Sequence, residues 1–251
     1  MSLQNGLVFD YKDPDERLSP FIQYFWTLEN QSDTNRKVTI LPDGFFDVMF
    51  VSADASLKIQ MVGLATAPKE YVVPAGARTL AISFKLPAAE CFLKIRIGDL
   101  LNTSHCLSDA LWSVDGLMTY SFSEFYELFV NRFNQLSPQI SDRRKQLLFE
   151  TLYGTNGNTT VNEIANVTGW SSRQINRYFQ SHFGLSLKSY CGILRFRASF
   201  PDLHHGDLFP ADGYSDQPHF IKEVKKFTGT SPKHLAKNLD DRFIQLSTLD
   251  D

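Results

Sequence analysis

Residues 160–184 read T-V-N-E-I-A-N-V-T-G-W-S-S-R-Q-I-N-R-Y-F-Q-S-H-F-G, and the punctuation of this stretch decides the fold of the C-terminal half. Thr160 is placed to accept a hydrogen bond from the Glu163 amide, and the Glu163 carboxylate to reach back to the Thr160 amide, a capping box that starts a helix. Val161, Ile164, Ala165 and Val167 supply its apolar side. Gly169 stops it, because a left-handed terminal position costs glycine nothing. Ser171 with Gln174 opens a second helix, Ile175, Tyr178, Phe179 and Phe183 form its apolar stripe, and Gly184 ends it. Two short helices about a tight turn describe a helix-turn-helix.

The outer face of the second helix carries Arg173, Asn176, Arg177 and Gln180. The first three fall within one helical turn and project the same way. Arginine and asparagine have forked hydrogen-bonding groups suited to base edges in a major groove. For one such unit alone, a solvated polar face is an equally good reading.

A second copy shifts that balance. Gly213-Tyr214-Ser215-Asp216-Gln217-Pro218-His219-Phe220 echoes Gly169-Trp170-Ser171-Ser172-Arg173-Gln174-Ile175-Asn176, and a helix through Phe227 closes at Gly229 before Ser231-Pro232. On Ile164-Ala165, Gly169, Ser171, Arg177, Phe179, Gly184, Tyr190, Arg195, Ala198, Gly213-Tyr214, Asp216-Gln217, His219-Phe220, Phe227, Gly229 and Ser231-Pro232, the chain resembles the C-terminal domain of AraC/XylS-type bacterial transcription regulators. The resemblance covers roughly a third of the chain, with two motifs in the right order. It implies two helix-turn-helix units joined by one long helix, with double-stranded DNA as partner.

After Ala198 the pattern departs from the family. Pro201 lacks an amide donor and clashes with the preceding turn, so the joining helix is expected to end near Phe200. Leu208-Phe209, followed by Pro210, stand where the first unit has Ile164-Ala165. The interval from Gly169 to Gly213 is about one helical turn shorter than the family implies. The support helix of the second unit therefore reads as shortened, while the helix from Asp216 to Phe227 keeps its pattern. His204-His205 in the altered loop point apart and read as loop residues.

Charge follows the same division. The chain of 251 residues has a net charge of −3, yet residues 155–238 hold 10 Lys and Arg against 6 Asp and Glu, and residues 1–154 hold 14 against 18. The basic excess lies on the half that would meet phosphates. Arg173, Asn176, Arg177 and Gln180 are the candidate DNA contacts of the first unit, and Gln217 and Lys222 those of the second. Lys188, Lys225, Lys226 and Lys233 are phosphate candidates.

Residues 7–104 read as strands, at 21–28, 38–41, 45–51, 59–62, 69–73 and 79–85. Pro42-Asp43-Gly44 suggests that 38–41 and 45–51 form a hairpin-like pair. The series predicts a barrel or a sandwich. The patterns L-S-P-F-I-Q-Y-F-W-T-L-E, I-L-P-D-G and A-I-S-F-K-L-P-A-A resemble a cupin-like N-terminal domain without assigned function that occurs in AraC-like regulators. That resemblance implies a sensor or oligomerisation module. Metal cupins need several histidines, and residues 1–104 contain none. No metal, cofactor or catalytic constellation is expected, and a barrel enzyme is the remote reading. Most aromatics in this half are expected to fill the interior, while Tyr24 and Trp26, on one face and with polar tips, are the candidate ligand contacts.

Residues 87–153 turn helical. Pro87 opens a short helix through Phe92 or Leu93, and Ser121 with Glu124 caps a helix whose aromatics Phe122, Phe125, Tyr126, Phe129 and Phe133 fall at helical spacing. Ser137-Pro138 is expected to start the next helix. The stripe serves equally well as packing for the strands or as a homodimer interface through 121–153. Gly154–Asn158 reads as a linker. The expected architecture is α+β: a β-rich cupin-like domain at 1–107, a helical linker or dimerisation region at 108–153, and an all-α tandem helix-turn-helix domain at 154–240. The three scattered cysteines give no disulfide or zinc framework, and no apolar run approaches a membrane span. With no signal-like N-terminus, a cytoplasmic location is expected. The expected function is DNA-binding transcription regulation. The alternative is an interaction protein with a degenerate DNA-binding domain.

Overall fold

A computed structural model describes residues 6–53, 56–91, 93–107, 112, 114–207, 213–238 and 243–247. Among the described residues eight strands occupy the N-terminal half: β1 Leu7–Lys12, β2 Ile22–Asn30, β3 Arg36–Ile40, β4 Phe46–Ala53, β5 Ser56–Val62, β6 Lys69–Val73, β7 Arg78–Phe84 and β8 Ser104–Cys106. They form two antiparallel sheets. Six strands run in the order β1-β2-β7-β4-β5-β8, and β3 pairs with β6, with a single further bridge from Thr39 to Phe243. The hairpin expected between β3 and β4 is therefore corrected. The backbone turns at Pro42-Asp43-Gly44, with Gly44 at φ +87°, and β4 ladders instead to β5 and β7.

Alternation along the strands gives the large sheet two different faces. Phe25, Val48, Phe50, Ile82 and Phe84 point to one side and are buried. Against them lies α2 (Phe122–Leu136), whose Phe125, Phe129 and Phe133 are wholly buried. Phe50 sits 5.4 Å from Phe125 and 5.3 Å from Phe129, and Phe84 5.8 Å from Phe133, in tilted or edge-on geometry. Each such ring removed from water contributes about 1.5–3 kcal/mol. The aromatic stripe is thus spent on the sheet. On the opposite face, Tyr24, Trp26, Asp47, Met49 and Ser83 look toward the β3–β6 pair.

Ser121 and Glu124 form the expected capping box of α2. Ser137 does not start a helix. It closes α2 in a left-handed conformation at φ +46°, and α3 (Arg143–Gly154) begins after Asp142, whose carboxylate accepts the Arg144 amide at 3.0 Å. Aspartate outcompetes the Ser-Pro signal because its charge also meets the positive end of the helix. The short helix α1 spans Pro87–Cys91.

The C-terminal half is helical: α4 Val161–Thr168, α5 Ser172–Phe183, α6 Leu187–Ala198, α7 Phe200–His204, α8 Gln217–Thr228, α9 Pro232–Lys237 and a last turn, α10, at Ile244–Ser247. The segment 154–158 is not a loose linker. Gly157, at φ +71°, lies so close to α6 that a Cβ would meet the Cys191 carbonyl oxygen at 2.6 Å, and Arg195 donates to the Gly157 carbonyl at 2.9 Å. One apolar core runs from the sheet through α2 and α3 into α4, α5 and α6.

Candidate nucleic-acid interface

Local chemistry builds the first unit as its sequence implies. Thr160 Oγ1 accepts the Glu163 amide at 3.2 Å while Glu163 accepts the Thr160 amide at 2.7 Å, and Ser171 with Gln174 repeats the exchange at 3.3 and 2.8 Å. Gly169 and Gly184 close α4 and α5 at φ +71° and +73°. Ile164, Ile175, Tyr178, Phe179 and Phe183 are buried between the helices. Val167 departs from the expected apolar side and is 48% exposed. Thr168 is buried in its stead, its hydroxyl satisfied by the Ile164 carbonyl at 2.7 Å. Ser171→Ala removes a cap and is expected to cost about 1 kcal/mol in a urea melt.

On the outer side of α5, Arg173, Asn176, Arg177 and Gln180 are all exposed. Arg173 and Arg177 form no ion pair among the described residues, so both guanidinium groups keep their donors. Asn176 and Gln180 turn their amide nitrogens onto their own helix, to the Ser172 carbonyl at 3.0 Å and the Gly184 carbonyl at 3.2 Å. Their oxygens are left as acceptors. Lys188 is exposed near the start of α6.

In the second unit the cap falls one residue later than the echo of sequence suggests. Asp216 accepts the His219 amide at 2.7 Å, and α8 starts at Gln217 with Pro218 in its first turn. Counted from the caps, Phe220 and Val224 take the buried places of Ile175 and Phe179, and Lys222 takes the place of Arg177. Gln217, Lys222 and Lys225 are exposed. Lys226 lies 3.5 Å from Glu223 and over the Phe227 ring, so it is a weaker phosphate candidate than its neighbours. Lys233 is exposed on α9. The joining helix α6 ends at Ala198, and Pro201 opens the short α7. Leu208, Phe209 and Pro210 lie outside the described residues.

The first unit is fastened to the sheet-bearing half, which the sequence did not foretell. Glu90 of α1 receives Tyr178 Oη at 2.8 Å and Lys145 Nζ at 2.7 Å, and His182 Nε2 lies 3.0 Å away. Burial, with the Glu90 charge beside it, pushes the Tyr178 hydroxyl well above its ordinary range. Gly98, in a 3-10 turn at Ile97–Leu100, touches the end of α5, where a Cβ would meet the Gly184 nitrogen at 2.5 Å. Tyr190 of α6 donates to the Gly44 carbonyl at 2.9 Å and meets the Tyr153 hydroxyl at 3.0 Å.

Tyr24 and Trp26 line a cavity of about 100 Å3 between the two sheets. Trp26 Nε1 donates to Asp47 Oδ1 at 3.2 Å and to Ser83 Oγ at 3.1 Å. Asp43 and Asp47 border the same space, and sequence reasoning missed them. The signal was present for Asp47, a carboxylate inside the apolar run Phe45–Val51.

A family model described as a helix-turn-helix domain matches residues 164–238, and a domain of unknown function, DUF6597, matches residues 12–106. This chain is a DNA-binding transcription regulator with an AraC-type helix-turn-helix domain. The regulator is also similar to solved structures of ToxT from Vibrio cholerae. An apo form has 9% identity and a TM-score of 0.42, covering 94% of this chain and 99% of that one. A form bound to (E)-4-(8-methylnaphthalen-1-yl)but-3-enoic acid has 9% identity and a TM-score of 0.40, covering 96% and 98%. A third, bound to an unsaturated fatty acid, has 10% identity and a TM-score of 0.38, covering 94% and 96%. No curated protein matches the regulator. The regulator binds DNA through its helix-turn-helix domain, and among its described residues no helix is long and apolar enough to cross a membrane.

Proposed function

We propose that α5 is the principal reading helix of the regulator, with Arg173 and Arg177 on base edges and Asn176 and Gln180 beside them as acceptors. The pair of exposed guanidinium groups with no ion-pair partner among the described residues carries this reading. Gln217 and Lys222 make the corresponding contacts from α8, and Lys188, Lys225 and Lys233 meet phosphates, with Lys226 a lesser contributor. Gel-shift titration of a selected duplex over a salt series tests it. The affinity should fall log-linearly with salt, by about 0.9 in slope for each phosphate neutralised. A flat response leaves the alternative of a non-DNA-binding interaction protein.

The sheet-bearing half acts without catalysis, as a sensor whose cavity at Tyr24 and Trp26 holds a small effector. Ligand-dependent contacts at the Glu90 and Gly98 interface then bias the placement of α5. A homodimer through 121–153 would use the outer edges of α2 and α3, where Leu136 is 48% exposed, since the aromatic face of α2 is covered by the sheet. The regulator works in the cytoplasm, where its DNA target lies.

A further inference from the structure

The cavity between the sheets has walls of two kinds. Phe9, Tyr24, Trp26 and Tyr71 contribute aromatic surface, and Asp43 and Asp47 contribute two carboxylates. Asp43 Oδ1 accepts the Phe45 amide at 3.0 Å. Asp47 Oδ1 accepts from Trp26 and from the Ser83 hydroxyl. Each carboxylate keeps its other oxygen without a hydrogen-bond partner among the described residues, and neither forms an ion pair there. Arg197 of α6 reaches toward Asp43 but stacks on the Phe45 ring at 4.7 Å. Two partly desolvated carboxylates that face aromatic rings, with one guanidinium nearby, leave carboxylate oxygens short of donors.

We propose that this cavity is a site for a small ligand with a primary ammonium head, which donates to the free oxygens of Asp43 and Asp47 while its carbon chain lies against Trp26 and Tyr24. This rests on the reading of the sheet-bearing half as a sensor. An ammonium carries three donors and no acceptor, so it fits a pocket whose open positions are carboxylate oxygens. Aromatic faces add attraction for the same charge. The volume of about 100 Å3 is below the roughly 150 Å3 that takes benzene and suits a chain of about five non-hydrogen atoms. A longer ligand runs into Ile244 and Gln245 of α10, which close one side of the cavity. Gln245 clasps the backbone of Leu41 from both ends, accepting its amide at 3.0 Å and donating to its carbonyl at 2.8 Å. The wall is thus supplied by the segment that follows the second helix-turn-helix unit.

Protonation gives a second handle. Burial raises the Asp43 carboxyl above the usual carboxylate range, and the charge of Asp47 raises it further; burial raises Asp47 as well. The other titratable groups around the pair are Tyr24 of β2, Tyr71 of β6, and Tyr190 and Arg197 of α6. A group whose pKa is raised takes up its proton earlier as pH falls, so ammonium binding weakens from about pH 8 to about pH 5.5.

Isothermal titration of the full chain with n-butylammonium, n-butanol and butyrate tests the site. The expected result is saturable one-site binding of butylammonium at least tenfold tighter than butanol, with no binding of butyrate, and loss of that preference in Asp43→Asn and in Asp47→Asn. Butanol equal to butylammonium, or butyrate tighter, overturns the ammonium assignment and leaves the effector pocket standing. Failure of all three probes to saturate overturns both. A wild-type preference retained in both variants places the ammonium elsewhere and overturns the site. The comparison of the three probes on the unsubstituted protein stands even if a variant does not fold.

Discussion

Replacing Arg173 and Arg177 together with alanine is expected to lower the affinity of the regulator for a selected duplex by at least about 30-fold, since each forked contact to a base edge contributes about 1–3 kcal/mol. Both side chains are exposed and unpaired among the described residues, so their removal leaves the thermal midpoint nearly unchanged. Affinity for random duplex should fall far less, because the proposed phosphate contacts from Lys188 and the α8 lysines would persist. Competition gel shifts with specific and random DNA separate the two losses. Equal losses on both would make the arginines backbone contacts and shift the reading of sequence to Asn176, Gln180 and α8. Lys222→Ala measures the share of the second unit in the same assay, since it occupies the place on α8 that Arg177 occupies on α5.

Phe129→Ala is expected to cost about 3–5 kcal/mol, a large part of the stability of a domain. The ring is wholly buried and touches Phe50, Trp112, Phe125 and Phe133 at 4.9–6.1 Å between centroids. Truncation leaves a void inside a rigid aromatic stack that cannot collapse to fill it. Urea unfolding followed by circular dichroism gives the number. A loss below about 1 kcal/mol, together with a change in sedimentation, would mean that the stripe serves a second protomer and not the sheet.

The first helix-turn-helix unit was legible almost residue by residue, because its information is local. Caps at Thr160 and Ser171 and stops at Gly169 and Gly184 act within one turn of chain. Six strands were legible from alternation, but their partners were not. Whether β3 joins β4 or β6 depends on where the chain goes after Gly44, which no window of a few residues contains. The competition between Asp142 and Ser137-Pro138 was misjudged because both are valid start signals and the charged one prevails. In the second unit the start at Asp216 was legible, and its carboxylate caps the helix. That Tyr24 and Trp26 line a cavity was legible, because tyrosine and tryptophan on one face of a strand already announce a polar-tipped wall. Asp43 was passed over as a turn residue, and Glu90 as one charge on a short helix. Their roles arise from neighbours 88 or more residues away in the case of Glu90 and Tyr178, and such pairings leave no trace in spacing.

The packed turn at Gly157 has a consequence for signalling. A hinge needs a few residues free to rotate, and here Gly157 is pressed onto Cys191 and pinned by Arg195. Glu90, Gly98 and Gly44 hold the same body at three further points. Swivelling by small degrees would strain every fastening at once while gaining nothing until all have let go. If an effector acts as proposed, the response is expected to be all-or-none, with the first helix-turn-helix unit seated or released whole, and a sloping dose curve from a population of molecules would be an average of two postures.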